Sequence, residues 1–294
     1  MRVKVYAKLN LTLNVGAKQG EFHPIDSVAT SIDLFDVVDV VPRRDKQVRV
    51  SGVTGVAEER NTAYRAAKTF AEEFDTEGAD VIITKGIPFG SGLGGSSADA
   101  AAVLFCLAKL QKIDMGCEKL LKICGKVGSD VTYMLRGGLG RLRGKGDSVE
   151  YSQLSNPLFF ALTTFTQEMS TRDVYAKFDS VTNARESAEN SQVTFENGNN
   201  ATLLTLLQRG ATEQDLIHFS NDLQRAATAI SDYAEQYLKF AKSHGLNPVM
   251  TGSGSAYFVA FTTRDAAQKA VDLLNSNGFA TRLCQSVSHG IVII

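Results

Sequence analysis

The 294-residue chain has four cysteines (Cys106, Cys117, Cys124 and Cys284), and no two are spaced as Cys-x-x-Cys. The first three fall in apolar helical surroundings, which argues against both a disulfide framework and a zinc site. No apolar run approaches the roughly 18 residues that a membrane-spanning helix needs. The opening MRVKVYAKLN alternates like a strand and lacks the organisation of a signal peptide. A surplus of one charge is missing as well. With 31 Lys and Arg against 32 Asp and Glu, the formal net charge is −1, and the basic residues are spread along the chain. That leaves no track for a polyanion and no patch for an anionic membrane. Internal repeats are absent. These absences predict a cytoplasmic protein with no nucleic-acid partner and no membrane partner.

What is present fits a globular chain: 44% hydrophobic and 21% charged residues, long enough for two domains or one large one. Residues 3–15, 25–42 and 46–53 carry alternating or continuous β-branched residues and predict strands. Residues 60–74 place Ala63, Ala66, Ala67, Phe70, Ala71 and Phe74 at helical spacing, and ADVIITKGI (79–87) reads as a buried strand. A helix is predicted from 97 to 110 and a second over 117–127 that ends at GSDVTYMLRGG (128–138). The glycine-rich GLGRLRGKGDSVEY (138–151) reads as a hairpin.

The pattern restarts after residue 155 with a strand, LFFALTTF (158–165), and a short helix in STRDVYAKF (170–178) behind a capping Ser or Thr. Residues 182–200 are polar and aperiodic and predict a mobile surface excursion. Helices over 201–208 and 221–244, a strand-like NPVMTGSGSAYFVAFT (247–262), a helix at 264–278 and strands at 279–287 and 290–294 complete an α+β alternation. The boundary is expected at 150–157, dividing residues 1–153 from 154–294.

The stretch PFGSGLGGSSADAAA (88–102) is the strongest local signal. Gly90, Gly92 and Gly95 fit Gly-x-Gly-x-x-Gly between a strand and a helix, but a dinucleotide site needs a second parallel strand ending in an acid about 20 residues on. Here Asp114 sits between helical segments. Gly90 and Gly95 also have the spacing of a Walker A loop, yet Ser96 stands where that motif needs Lys. What survives is the physics common to both. Glycines bring backbone N–H groups close to a ligand, and the following helix adds the positive end of its dipole, a combination suited to phosphate. Ser96 and Ser97 add hydroxyls able to cap the helix or to reach a phosphate oxygen or its Mg²⁺. A tight turn with an N-cap is the competing structural reading.

With its glycine loop, the N-terminal AKLNLTLNV (7–15) and the C-terminal MTGSGSAYFVAF (250–261), the chain resembles the GHMP kinases over nearly its whole length. Within that superfamily AKLNL (7–11), EFHPIDSV (21–28), GSDVTYML (128–135) and MSTRDVY (169–175) are similar to segments of the 4-diphosphocytidyl-2-C-methyl-D-erythritol kinases, with Phe22 in place of the usual Tyr and Thr132 in place of the usual Pro. The resemblance implies a two-domain α+β fold, with a ribosomal protein S5 domain 2-like N-terminal domain and a ferredoxin-like C-terminal domain. It also implies an ATP-dependent small-molecule kinase, monomer or homodimer, with Mg²⁺ bridging the phosphates and no dedicated protein metal site.

The resemblance further assigns Asp130 as the base that accepts the hydroxyl proton and Lys8 as the cation that orients it. Asn10, Phe22, His23, Thr171 and Tyr175 fall where the family contacts its substrate. Asn61, Lys85, Pro88, Gly90, Ser91, Gly92, Leu93, Gly94, Gly95, Ser96 and Ser97 fall where it contacts ATP, and Gly252, Ser253 and Gly254 where a third loop closes over the site. Each also has a plain reading: Asn61 and Thr171 as helix caps, Lys85 as a solvated strand-end lysine, Tyr175 as a core aromatic. Another acceptor alcohol (homoserine, mevalonate or a sugar) and a non-catalytic nucleotide-binding role stand as the alternatives.

Overall fold

The computed structural model describes residues 1–167, 169–186 and 200–294, with side chains left out for 183–186. The first part of the chain forms β1 (Arg2–Asn10), β2 (Thr12–Val15), β3 (Ile25–Pro42), β4 (Arg49–Ser51), α1 (Thr62–Phe74), β5 (Ala79–Thr84), α2 (Gly95–Leu110), α3 (Glu118–Val127) and α4 (Val131–Arg136). A hairpin of β6 (Leu139–Gly144) and β7 (Ser148–Ser152) follows. Then come β8 (Phe159–Thr163), α5 (Thr171–Glu186), α6 (Asn200–Arg209), β9 (Ser220–Asn221), α7 (Gln224–Thr228), α8 (Asp232–Ser243), β10 (Val249–Met250), β11 (Tyr257–Phe261), α9 (Arg264–Ser276), β12 (Thr281–Val287) and β13 (Ile291–Ile293).

β3 is the spine of the molecule. Residues 27–32 are buried on both faces and alternation between core and surface sets in only from 33, and along its 18 residues the strand pairs antiparallel with β1, β2, β5, β6 and β12. Strand pairing runs in the order β10-β11-β8-β12-β3-β1-β13, so the last strands of the chain return to the sheet that the first strands build. Helix α2 is apolar on nearly every side, and it is buried accordingly against α1, α4, β1 and β3. Among the described residues a second hydrophobic cluster joins Leu13, Val174, Tyr237, Tyr257 and Leu274 beneath α5, α7, α8 and α9. Phe160 and Phe258 belong instead to the first cluster, with Val5, Leu104 and Ile123, so that core takes residues from both sides of position 153.

Four sequence expectations change. The single helix expected over 221–244 is a short strand and two helices, because Asn221 pairs on β2 and Ser231 adopts extended backbone, its side chain capping α8 through the Ala234 N–H. Residues 131–136, in the stretch where the sequence predicts the end of the 117–127 helix and no further helix, form a helix of their own after Gly128 takes an extended conformation. Helix α2 begins at Gly95, two residues before the expected start. Of the excursion expected over 182–200, residues 182–186 complete α5 and Asn200 opens α6. The part from 187 to 199 lies outside the described residues.

Candidate active site

Residues 85–94 connect β5 to α2, and the glycine loop within them is held from two sides. On one side the Lys8 N–H donates to Leu93 O (3.0 Å). On the other, the N–H groups of Ser255 and Ala256 donate to Gly90 O (3.2 Å) and Ser91 O (3.1 Å). Two glycines make this clamp sterically feasible. At Gly92, φ +75°, a Cβ would lie 2.2 Å from Thr251 O; at Gly94, also φ +75°, it would lie 2.3 Å from Met134 Cε and 3.1 Å from Lys8 Cγ. The stem of Lys8 therefore passes directly beneath the loop. Helix α2 has no side-chain cap at its N-terminus, which leaves its first N–H groups free of a capping oxygen at the loop.

The Lys8 ammonium is almost wholly buried. It donates to Asn10 Oδ1 (2.7 Å) and forms an ion pair with Asp130 Oδ2 at 3.1 Å, where the Asp130 side chain is 25% exposed. Desolvating a lysine this far is costly unless a carboxylate and hydrogen bonds meet it, and both do. Asn10 is equally committed. Its Oδ1 also accepts from the Gly252 N–H (3.1 Å), its Nδ2 donates to Ser27 Oγ (2.8 Å) and its own N–H donates to Thr251 Oγ1 (3.0 Å). One buried amide thus ties β1 to the third glycine loop. Asp130 stands at the start of α4, and Thr132 is the second residue of that helix. A first-turn position needs no intrahelical N–H, so Thr serves there as well as Pro.

The cleft, about 880 Å³, is lined by every sequence-predicted site residue except Asn61. The Asn61 Oδ1 caps α1 by accepting from the Ala63 and Tyr64 N–H groups, which leaves only its amide nitrogen to meet a ligand. Lys85 lines the cleft but is not solvated: its ammonium is held by Asp36 and by Asp99 (2.8 Å). On the opposite wall His23 is enclosed by Gly16 O at Nδ1 (3.0 Å), Asp179 at Nε2 (3.1 Å) and the Tyr175 ring at 5.3 Å. Burial, and then the negative charge of Asp130, pushes the Tyr175 hydroxyl up to about 12, so that ring stays neutral. Thr171 Oγ1 and Ser253 Oγ lie 2.8 Å apart and join α5 to the third glycine loop.

Sequence reasoning missed several cleft residues. Lys145 Nζ lies over the Phe22 ring at 4.4 Å, and Lys18 and Arg172 add further positive charge to the same wall. They come from separate segments, and no local pattern marks them. Among the described residues no group of three or more His, Cys, Asp or Glu could hold a metal ion, and no helix is long and apolar enough to cross a membrane.

Known proteins resemble this chain over most of its length. Residues 61–139 match the GHMP kinases N terminal domain family and residues 201–280 match GHMP kinases C terminal. A 4-diphosphocytidyl-2-C-methyl-D-erythritol kinase of Cutibacterium acnes is 34% identical over 90% of this chain and 86% of its own. One from Clostridium tetani is 29% identical over 94% and 96%. The crystal structure of a 4-(cytidine 5'-diphospho)-2C-methyl-D-erythritol kinase superposes with a TM-score of 0.74 at 25% identity, covering 97% of this chain and 99% of that one.

Proposed function

The chain belongs to the GHMP kinases, in the branch of the 4-diphosphocytidyl-2-C-methyl-D-erythritol kinases, and we propose that it moves the γ-phosphoryl group of ATP to the 2-hydroxyl of that diphosphocytidyl alcohol. The observation that carries this reading is the buried Lys8–Asp130 pair set directly against the glycine loop. Phosphoryl transfer requires the acceptor and donor to be positioned in line, the developing charge to be stabilised and the hydroxyl proton to be accepted. The loop N–H groups and the α2 dipole face the transferring phosphoryl group. Asp130 takes the acceptor proton, and Lys8 orients Asp130 and neutralises charge as it builds.

Phe22 and Tyr175 flank the cytosine, with His23 fixed between Gly16 and Asp179 beside them. Lys18, Lys145 and Arg172 supply counter-charge for the diphosphate. The buried commitments of Asn10 make it a brace for Lys8 as well as a substrate neighbour. The donors present suit Mg²⁺, which keeps phosphate oxygens and water as its main ligands: the Ser96 and Ser97 hydroxyls and the Asp130 carboxylate face the cleft. When bound, the ion would offset charge on the phosphates. Residues 1–153 form the ATP-binding lobe and 154–294 the lobe that closes on it, and the reading includes a cytoplasmic location.

Asp130→Asn tests the assignment. It keeps size and polarity but cannot take a proton, so turnover is expected to fall on the order of 10²–10⁴-fold, with ATP affinity measured by calorimetry close to that of the wild type. Turnover at the wild-type rate would remove Asp130 as the base.

A further inference from the structure

The Lys8 ammonium has three N–H groups, and among the described residues two are taken, by Asn10 Oδ1 and by Asp130 Oδ2. The positions of those two acceptors fix where the third can point. Asp130 changes charge in the proposed reaction, so the steadier of the two is the Asn10 amide. Its orientation follows from its neighbours. Oδ1 accepts from two groups that can only donate, the ammonium (2.7 Å) and the Gly252 N–H (3.1 Å); turned over, the amide would set its own N–H groups against both. Nδ2 must therefore donate, and it does so to Ser27 Oγ at 2.8 Å.

Ser27 lies wholly buried on β3, and the direction of its hydroxyl is set. Its proton goes to the Thr12 carbonyl, which only accepts, so its lone pairs are left for Asn10. Beside it the Val28 N–H donates to Thr12 Oγ1 (2.9 Å), and that hydroxyl donates to Asn200 Oδ1 (2.8 Å), which stitches β2 to β3 with bonds of equally fixed direction. The other partners of the Asn10 amide are Lys8, the group to be placed, and Gly252, from a loop far along the chain. Ser27 supplies the fixed point.

We propose that Ser27 is a positioning residue for phosphoryl transfer: its hydroxyl locks the Asn10 amide, the amide locks the Lys8 ammonium, and the third Lys8 N–H is thereby held for the transferring group. The inference rests on the reading of the cleft as a kinase site. Ser27 does not line the cleft, although Lys8 and Asn10 both do, so it acts through Asn10. A misplaced ammonium removes charge stabilisation that matters most in the transition state, which puts the effect in kcat.

Three variants of the full chain test this by steady-state kinetics with ATP, Mg²⁺ and the diphosphocytidyl alcohol. Ser27→Ala removes the hydroxyl, while Ser27→Thr and Ser27→Val share one shape and only Thr keeps it. Ala and Val are expected to lower kcat on the order of tenfold, the rate equivalent of one lost hydrogen bond, with KM for ATP near that of the wild type. Thr is expected to restore kcat, and any disturbance from its extra methyl is common to Val. In an Asn10→Ala background, Ser27→Ala should lower kcat no further, whereas a merely structural effect would add. Wild-type kcat in Ser27→Ala, equal kcat in the Thr and Val variants, or a loss that adds to that of Asn10→Ala would overturn the role of Ser27 and leave the kinase reading intact. Should no variant at position 27 fold, NMR of the wild type replaces them: the Asn10 side-chain amide is expected to exchange with D₂O far more slowly than a free amide, and exchange at the free rate would overturn the lock. No turnover by the wild type would overturn both readings.

Discussion

At the scale of single residues, the site is decided by which charges are buried and what meets them. Lys8 is tolerated inside because Asp130 and Asn10 meet its ammonium, and the bond of its backbone N–H to the Leu93 carbonyl holds its strand against the loop. Asp99 is the opposite case, a carboxyl whose burial outweighs the lysine beside it. Raised to about 7, it holds a proton in the folded state that the unfolded chain has already lost between about pH 4 and about pH 7. The contribution is whole below that window and declines as pH rises through it. Urea unfolding at about pH 5 and about pH 8 should therefore show a larger loss of stability in the wild type than in Asp99→Asn. A loss of equal size in the two proteins would mean that Asp99 is ionised throughout.

Elements explain why some of this could be read directly from the chain. The loop at 88–97 announces itself because four glycines and three serines between a buried strand and an apolar helix have few structural uses. Lys8 and Asp130 lie in segments with their own pattern, AKLNL and GSDV. Asp36 shares the inward face of β3 with Leu34, Val38 and Val40, but nothing local marks its partner, a lysine 49 residues away. Asp99 had a signal, an acid inside an otherwise apolar alanine-rich helix, that composition alone left unused. The break between α7 and α8 was hidden because helical periodicity continues through it, and only the backbone of Ser231 reveals the cap. Asn61 shows how an element can claim a candidate ligand residue. Its cap on α1 predicts that Asn61→Ala lowers stability by about 1 kcal/mol, measurable by denaturant unfolding. Unchanged stability would free Asn61 for a role at the nucleotide alone.

Across the whole molecule, the cleft depends on contacts between residues far apart in sequence. The third glycine loop binds Asn10 and the phosphate loop, and β13 pairs with β1, so neither part of the chain completes the site without the other. This architecture is shared by kinases for several alcohols, and fold alone does not choose among them. In the proposed function the choice rests on the cleft wall of Phe22, His23, Tyr175, Lys18, Lys145 and Arg172. The most direct test is ADP release by the purified chain with ATP and Mg²⁺, offered 4-diphosphocytidyl-2-C-methyl-D-erythritol, mevalonate and homoserine in parallel. Turnover with the diphosphocytidyl alcohol alone is the predicted result; turnover with mevalonate or homoserine instead, or with none of the three while ATP still binds, would contradict it.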